Sequence, residues 1–243
     1  MIPKTIHYCW FGGKPLPESA RKCVDSWRKF FPDYEIKQWD ESNYDVRKIP
    51  YIAEAYDAGK YAFVSDFARF DIIHRHGGVY FDTDVEAIAP FTDILARGAF
   101  MGAEINGTDT ETPVVAAGLG IAAEAGHPVY AEIIDYYATH HLRRADGTLD
   151  TTYAVVRITT DILRAHGLRA TADKQEVAGI TIYPADFFNP FDDATGRLRK
   201  TANTRSVHWF SKTWLDVSPM RMRLSRLFHR LFGVNALARL RRK

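Results

Sequence analysis

Short apolar or alternating runs recur along the chain, separated by stretches in which apolar residues repeat at helical spacing. A strand needs only about four to eight such residues and a helix about ten or more, so the two patterns predict different elements. The runs predict strands at 5–10, 35–39, 79–81, 100–104, 118–122, 180–183 and 206–209. The helical spacing predicts helices at 18–31, 50–59, 65–76, 128–140 and 155–166. Ser65 is the predicted cap of the third helix, which Gly77 and Gly78 end.

Strands that alternate with helices at this spacing predict an α/β fold, a sheet with helices on both faces. In such sheets the ligand crevice lies beyond the carboxyl ends of the strands. Asp82 and Asp84 directly follow the predicted strand 79–81. The pattern therefore places two acidic residues where a ligand is expected.

The composition is that of a globular protein. The chain has 243 residues, of which 46% are hydrophobic and 26% charged, enough for one domain with a substantial core. The longest weakly polar run, 114–123, is about half of what a membrane-spanning helix requires. Neither a basic leader nor a cleavable apolar segment precedes the first predicted strand, so a cytosolic location is expected. In that compartment Cys9 and Cys23 are expected to be reduced thiols, and no function is assigned to them.

Positive charge is concentrated at the carboxyl end. Residues 219–243 contain eight Lys or Arg residues and no acid, whereas the whole chain carries only +2. The sequence predicts a catalytic domain over 1–218 and a basic amphipathic tail over 219–243. One apolar stripe is expected on the helix of this tail, formed by Met220, Leu224, Leu227, Leu231, Val234 and Ala238. The stripe either lies on an anionic membrane surface or packs on the body with the arginines facing solvent.

The residues with the clearest chemistry lie between positions 65 and 84. In strand geometry the carboxylates of Asp82 and Asp84 project to the same side, and a divalent cation such as Mn²⁺ or Mg²⁺ would relieve their repulsion. The alternative for an isolated pair of this kind is that the two aspartates simply cap and solubilise the end of the strand. Asp66 and Arg69 share a helix face three residues apart. The turn at Gly77 and Gly78 folds that face back beside the strand, where it could contact a phosphate or sugar hydroxyls.

This segment resembles a known family. It carries Ser-Asp, an Arg three residues after that Asp, and then Gly-Gly-x-Tyr-x-Asp-x-Asp without a gap. The same pattern marks the DXD-containing, sugar-binding region of glycosyltransferases that include the yeast initiating mannosyltransferase, bacterial capsular polysaccharide transferases and the large glucosylating toxins. Residues 2–13 are similar to the first strand of that family. The resemblance implies a GT-A-like α/β fold, in which a Rossmann-like mixed sheet is flanked by helices.

The resemblance also implies roles for individual residues. Asp82 and Asp84 would hold Mn²⁺ or Mg²⁺ together with the diphosphate of the donor, and Asp66 and Arg69 would bind the donor sugar. Trp10 would stack on the base of the nucleotide, and Tyr80 would line the donor pocket. For both aromatic residues, ordinary packing in the core is the alternative.

A second resemblance lies near the carboxyl end. Residues 207–214 are similar to the late His of the family, which a Ser-Trp pair follows. The similarity implies that His208 joins the metal shell and that Trp214 bonds the phosphate or the leaving oxygen. Thr213 precedes Trp214 where the family has Ser, and Ser211 lies two residues earlier. Which of the two hydroxyl groups contacts the diphosphate therefore stays open.

The family implies a retaining glycosyltransferase that moves a hexose to a saccharide or lipid-linked acceptor in polysaccharide or glycolipid synthesis. A UDP-sugar is the first expectation for the donor and GDP-mannose the second. Four polar residues are guesses for the acceptor pocket: Glu104, Asn106, Thr151 and Thr152. A metal-dependent nucleotide-diphosphate hydrolase could use the same two carboxylates but accounts poorly for Asp66 and Arg69. A nucleic-acid-binding protein could use the basic tail, but the acidic body argues against it.

Overall fold

The computed structural model describes residues 1–152, 154–211 and 219–234. The first half contains β1 (Thr5–Cys9), α1 (Glu18–Phe30), β2 (Glu35–Trp39), α2 (Pro50–Asp57), α3 (Tyr61–His76), β3 (Gly78–Tyr80), β4 (Val85–Ala87), α4 (Thr92–Leu95) and β5 (Phe100–Ile105). The second half contains β6 (Val114–Ala123), α5 (Pro128–Ala138), α6 (Val155–Ala165), β7 (Gln175–Val177), β8 (Ile180–Tyr183), α7 (Ala185–Phe188), β9 (Phe191–Asp192), β10 (Arg197–Leu198), β11 (Ser206–His208) and α8 (Pro219–Phe232).

Seven strands form one mixed sheet in the order β2-β1-β3-β6-β5-β8-β7. β1 runs parallel to β2 and β3, whereas β6 is antiparallel to β3 and β5. One core, with residues of α2, α3, α5 and α6, and a second, with residues of α1, α4 and α7, pack against this sheet. The two apolar layers confirm the predicted α/β class, a mixed sheet flanked by helices.

The helix α3 begins one turn before its predicted cap. Ser65 lies inside the helix, where its hydroxyl donates to the carbonyl of Tyr61 at 3.2 Å. The prediction was wrong here because Phe63 and Val64 are buried, and their packing extends the helix towards its amino end. The predicted end is confirmed at Gly77 and Gly78, whose φ angles of 64° and 101° favour glycine.

Six short elements were not predicted: β4, α4, β7, α7, β9 and β10. Each has two to four residues, too few for a period to show in the sequence. One of them positions the site, because β4 pairs with β11 in an antiparallel two-stranded sheet. This pairing places His208 opposite Val85, next to the two aspartates.

The carboxyl-terminal helix α8 lies against the hairpin formed by β9 and β10, through hydrogen bonds from Arg226 and Arg230. The predicted boundary at residue 218 stays a prediction, and Ala238 lies outside the described residues. Within the described ranges, none of the helices combines the length and the apolar character needed to cross a bilayer.

Candidate active site

Asp82 and Asp84 lie in the turn between β3 and β4, at the carboxyl end of β3. The turn is held by the amide of Val85, which donates to the carbonyl of Asp82 at 3.0 Å. Ligand atoms of Asp82, Asp84 and His208 lie within 4.8 Å of one another. It is the single group of three or more His, Cys, Asp or Glu residues in the described chain that could hold a metal ion.

Asp82 is bound to a buried arginine. Its Oδ1 accepts a hydrogen bond from the hydroxyl of Tyr80 at 3.0 Å and forms an ion pair with Nη2 of Arg69 at 3.1 Å. The same Nη2 lies 2.9 Å from Oδ1 of Asp66, so one guanidinium, 4% exposed, bridges two carboxylates. Burial raises the pKa of Asp66 to about 6 and also raises the pKa of Asp82, although Arg69 lowers both. The cluster therefore carries an excess of negative charge in a poorly solvated place.

Asp84 is bound to residues from the far end of the described body. Its Oδ1 lies 3.1 Å from Nε2 of His208, and its Oδ2 accepts from the amide of Ser211 at 2.8 Å and from its hydroxyl at 3.0 Å. Burial raises the pKa of Asp84, but His208 and Ser211 outweigh it and hold that pKa well below its usual range. Burial lowers the pKa of His208, and Asp84 outweighs it, so the net shift is upward.

The chain reaches Asp84 through an unusual turn. Phe210 has a φ of 47°, which is rare for a bulky residue and indicates local strain. Just before this turn, the amide of Trp209 donates to the carbonyl of Asp84 at 3.0 Å. Just after it, the amide of Ser211 donates to the carboxylate of the same residue. Ser211 thus contacts a predicted metal ligand directly. Thr213 and Trp214 lie outside the described residues.

The two predicted aromatic residues lie at different depths. Tyr80 is fully buried behind Asp82, with the guanidinium of Arg69 5.3 Å from its ring centroid. Trp10 directly follows β1 and is half-buried, and its indole nitrogen donates to the carbonyl of Lys14 at 2.6 Å. A base-stacking role for Trp10 and a pocket-lining role for Tyr80 stay predictions.

Residues 17–101 match the sequence profile described as a glycosyltransferase sugar-binding region containing a DXD motif. Asp66, Arg69, Asp82 and Asp84 all lie within that match. This region is therefore similar to the DXD-containing glycosyltransferase family.

Three comparisons show how far the likeness extends. An uncharacterized glycosyltransferase of Acanthamoeba polyphaga mimivirus is 33% identical over 111 residues, which cover 42% of this chain and 43% of the relative. Inositol phosphoceramide mannosyltransferase 1 of Schizosaccharomyces pombe is 25% identical over 166 residues, covering 64% and 47%. The chain thus spans less than half the length of both relatives. A galactosyltransferase solved with donor and acceptor sugar analogues overlays with a TM-score of 0.48 at 13% identity, covering 86% of this chain and 87% of the other.

Two residues beside the DXD motif were missed from the sequence. A Cβ added at Gly118 would lie 2.3 Å from Oδ2 of Asp82 and 3.6 Å from Nη1 of Arg69, so only glycine leaves room for this carboxylate. The signal was present, because a glycine in the middle of a strand indicates a close approach. Cys9, a buried thiol as predicted, lies under the site, where burial raises its pKa and Tyr80 is its hydrogen-bond partner.

The guesses for an acceptor pocket fall in different places relative to the DXD motif. Glu104 lies close enough to His208 to raise its pKa. Asn106 accepts a hydrogen bond from the amide of Ala185 at 2.7 Å and so fixes the start of α7. Thr152 caps a turn through Asp150, to which its hydroxyl donates at 2.6 Å, and Thr151 is exposed. Of the four, Glu104 is the one that interacts electrostatically with a candidate metal ligand.

Proposed function

We propose that the chain is a metal-dependent, retaining glycosyltransferase that moves a hexose from a nucleotide-sugar donor to a saccharide or lipid-linked acceptor. One observation carries the proposal. Asp82, Asp84 and His208 converge at the end of β3 next to the buried bridge that Arg69 makes between Asp66 and Asp82. A group of candidate metal ligands beside the Arg69 guanidinium, at the end of a strand, suits a ligand with both a diphosphate and a sugar.

The residues fit a bound divalent cation. Two carboxylates suit Mn²⁺ or Mg²⁺, and the imidazole nitrogen of His208 favours Mn²⁺. Burial, and to a smaller extent a neighbouring carboxylate, raises the pKa of Asp66 and of Asp82, and a bound cation would stabilise their charged forms. When bound, the ion supplies Lewis-acid stabilisation of the charge that develops on the departing diphosphate.

The chain's own residues bind and orient the donor. Asp66 and Arg69 hold the sugar, and Trp10 stacks on the base. Tyr80 and Gly118 fix the position of the Asp82 carboxylate. Ser211 holds Asp84 and, together with Trp214, is proposed to contact the diphosphate.

The transfer itself breaks the bond between the anomeric carbon and the phosphate oxygen. The acceptor hydroxyl forms its bond on the same face of that carbon, and its proton passes to the departing phosphate oxygen. No covalent enzyme nucleophile is required by this sequence of events. Electrostatic stabilisation of the leaving group then supplies most of the rate enhancement.

The donor we propose first is a UDP-hexose, with GDP-mannose second. The names of two relatives, inositol phosphoceramide mannosyltransferases 1 and 3 of Schizosaccharomyces pombe, support testing mannose alongside the UDP-sugars. Their names also describe a lipid acceptor, which supports a lipid-linked acceptor here. We propose the inner face of the cell membrane as the place of action.

A thermal-shift panel tests this function. UDP-glucose, UDP-galactose and GDP-mannose are compared with and without Mn²⁺, and one of them is expected to raise the melting temperature only with the metal. Asp84→Asn should lose that shift, whereas the exposed Asp33→Asn variant should keep it. Absence of a metal-dependent shift with any nucleotide sugar would contradict the proposal. Hydrolysis that remains the fastest reaction across a panel of acceptors would instead favour the nucleotide-diphosphate hydrolase.

A further inference from the structure

The basic side of α8 faces the protein. Nε of Arg226 donates to the carbonyl of Asp193 at 3.1 Å, and its Nη2 lies 2.6 Å from the Asp193 carboxylate. The guanidinium of Arg226 also lies 5.0 Å from the ring centroid of Phe191. Arg230 donates to the carbonyls of Thr195 and Gly196 at 3.2 and 2.9 Å. These contacts hold the helix on the β9–β10 hairpin, residues 191–198.

The apolar side of α8 therefore faces away from the protein. Five residues, which we call the outward stripe, are 50–72% exposed: Met220, Leu224, Leu227, Leu231 and Val234. They account for five of the eight large hydrophobic residues that are exposed in the described chain. The first four lie within α8, where their steps of four, three and four keep them on one helical face, and Val234 follows the end of the helix. Within residues 219–234, the structure excludes the alternative in which the stripe packs on the body.

Arginines border the outward stripe on both sides. At about 100° per residue, Arg221 and Arg223 fall on opposite edges of the face that Met220 and Leu231 define. Both arginines are exposed, and residues 219–234 contain no acid. An apolar centre with basic edges is the pattern of a helix that lies in the plane of a membrane interface.

We infer that the outward stripe docks the protein on an anionic lipid bilayer, with α8 parallel to the surface. Anionic headgroups would pair with Arg221 and Arg223 while the stripe enters the acyl boundary. A second copy of the chain fits less well, because a two-fold contact would bring the bordering arginines of both copies together without an acid on α8 to pair them.

The docking face is connected to the candidate active site through side-chain contacts. Phe191 of the hairpin packs on Trp209 at 5.3 Å between ring centroids, and the indole nitrogen of Trp209 donates to Glu86 at 2.9 Å. Trp209 directly follows His208, one of the three candidate metal ligands. The helix therefore orients the site relative to the bilayer. If the proposed function holds, its acceptor is a lipid-linked saccharide in that same bilayer.

Vesicle flotation of the full chain tests the docking. Vesicles of phosphatidylcholine with phosphatidylglycerol are compared with vesicles of phosphatidylcholine alone, and the protein is expected to float only with the anionic ones. Leu224→Glu should reduce the floated fraction about tenfold or more, because it places a charge in the apolar face. Ile105→Glu is the matched control, since Ile105 is 60% exposed and Leu224 61%. Ile105→Glu should float like the wild type.

The outcomes separate docking from the proposed chemistry. Equal flotation of wild type and Leu224→Glu would overturn the inference, as would a wild-type dimer in sedimentation velocity that Leu224→Glu dissociates without any vesicle binding. Both variants should keep their circular dichroism spectrum and the metal-dependent thermal shift with the nucleotide sugar. Flotation without any donor shift would refute the proposed function alone, and a donor shift without flotation would refute the docking alone.

Discussion

The two carboxylates of the DXD motif are two residues apart, yet different regions of the chain hold them. Arg69 and Tyr80, within 13 residues of Asp82, bind that side chain. Asp84 is bound by His208 and Ser211, more than 120 residues away along the chain. One half of the site is thus built locally by α3 and β3, and the other closes only when β11 pairs with β4.

The halves also differ in charge balance. In the Asp82 half, burial raises the pKa of both carboxylates, and the one guanidinium that they share only partly offsets this rise. In the Asp84 half, His208 and Ser211 outweigh burial and lower the pKa of the carboxylate. A bound cation should therefore stabilise the charged carboxylates of the Asp82 half. In the Asp84 half it should compete with the contacts that His208 and Ser211 already make. Substitutions in each half test this difference.

Substitutions in the DXD motif itself should reduce transfer activity the most. Asp82→Asn and Asp84→Asn should each reduce kcat/KM for transfer roughly a thousandfold, because a Lewis acid contributes several kcal/mol and each 1.4 kcal/mol is about tenfold. Because only the Asp84 half depends on β11, the two variants should also differ in limited proteolysis. Asp84→Asn should accelerate cleavage between residues 206 and 211, since it loosens β11, whereas Asp82→Asn should not. A folded Asp84→Asn variant with normal turnover would refute the metal role.

Arg69→Ala should cause the second-largest loss of activity. It leaves Asp66 and Asp82, whose side chains are 13% and 26% exposed, without their shared cation, which costs about 1–3 kcal/mol of unfolding free energy. Transfer and the slow hydrolysis of the donor should fall together, since both depend on donor binding. Urea unfolding and the two rates are the measurements.

The control for Arg69→Ala is Arg28→Ala. Arg28 makes the same i,i+3 pair with Asp25, but those side chains are 63% and 68% exposed. An exposed pair contributes about 0–1 kcal/mol, so this variant should leave both rates unchanged. If Arg69→Ala altered only the KM of the acceptor, the assignment of Arg69 to the donor would be wrong.

A smaller effect is expected from Gly118→Ala, which adds a methyl group 2.3 Å from the Asp82 carboxylate. The displaced carboxylate should weaken Mn²⁺ binding in the presence of nucleotide diphosphate about tenfold, as measured by calorimetry. Gly102→Ala on the neighbouring strand is the control, because its methyl group meets Phe188 at 2.7 Å and lies in the core. It should cost about 1–3 kcal/mol of stability and leave metal affinity unchanged. Equal metal affinities in the two variants would remove the positioning role of Gly118.

The local half of the site could be predicted from the sequence, whereas the long-range half could be predicted only in part. Asp66, Arg69 and Asp82 lie in one uninterrupted helix-turn-strand pattern, which fixes their relative placement. Gly118 reaches Asp82 only because β6 pairs antiparallel to β3, a register that no local period determines. Ser211 contacts Asp84 through the left-handed Phe210, a conformation that the residue type disfavours.

The tail shows the same limit. Its apolar period predicted a helix and a stripe, and the described part of α8 has both. Which face turns to the protein depends on carbonyls of the β9–β10 hairpin, and those two-residue strands leave no signal in the sequence. Helical periodicity determines which residues share a face, but the partner determines where that face points.

The smallest expected effect is that of Ser211→Ala, and it tests whether the Asp84 half acts through its backbone or its hydroxyl. The variant loses the 3.0 Å bond from the hydroxyl but keeps the 2.8 Å bond from the amide. If Ser211 only holds Asp84, transfer should fall by less than about tenfold, because one bond to a charged group contributes about 1.5–3 kcal/mol and the amide replaces part of it. Ser42→Ala is the control, since both the amide and the hydroxyl of Ser42 donate to the half-buried Asp40 outside the site, and its rates should not change. A loss as large as that of Asp84→Asn would show that the hydroxyl has a partner besides Asp84, and the diphosphate is the partner we propose.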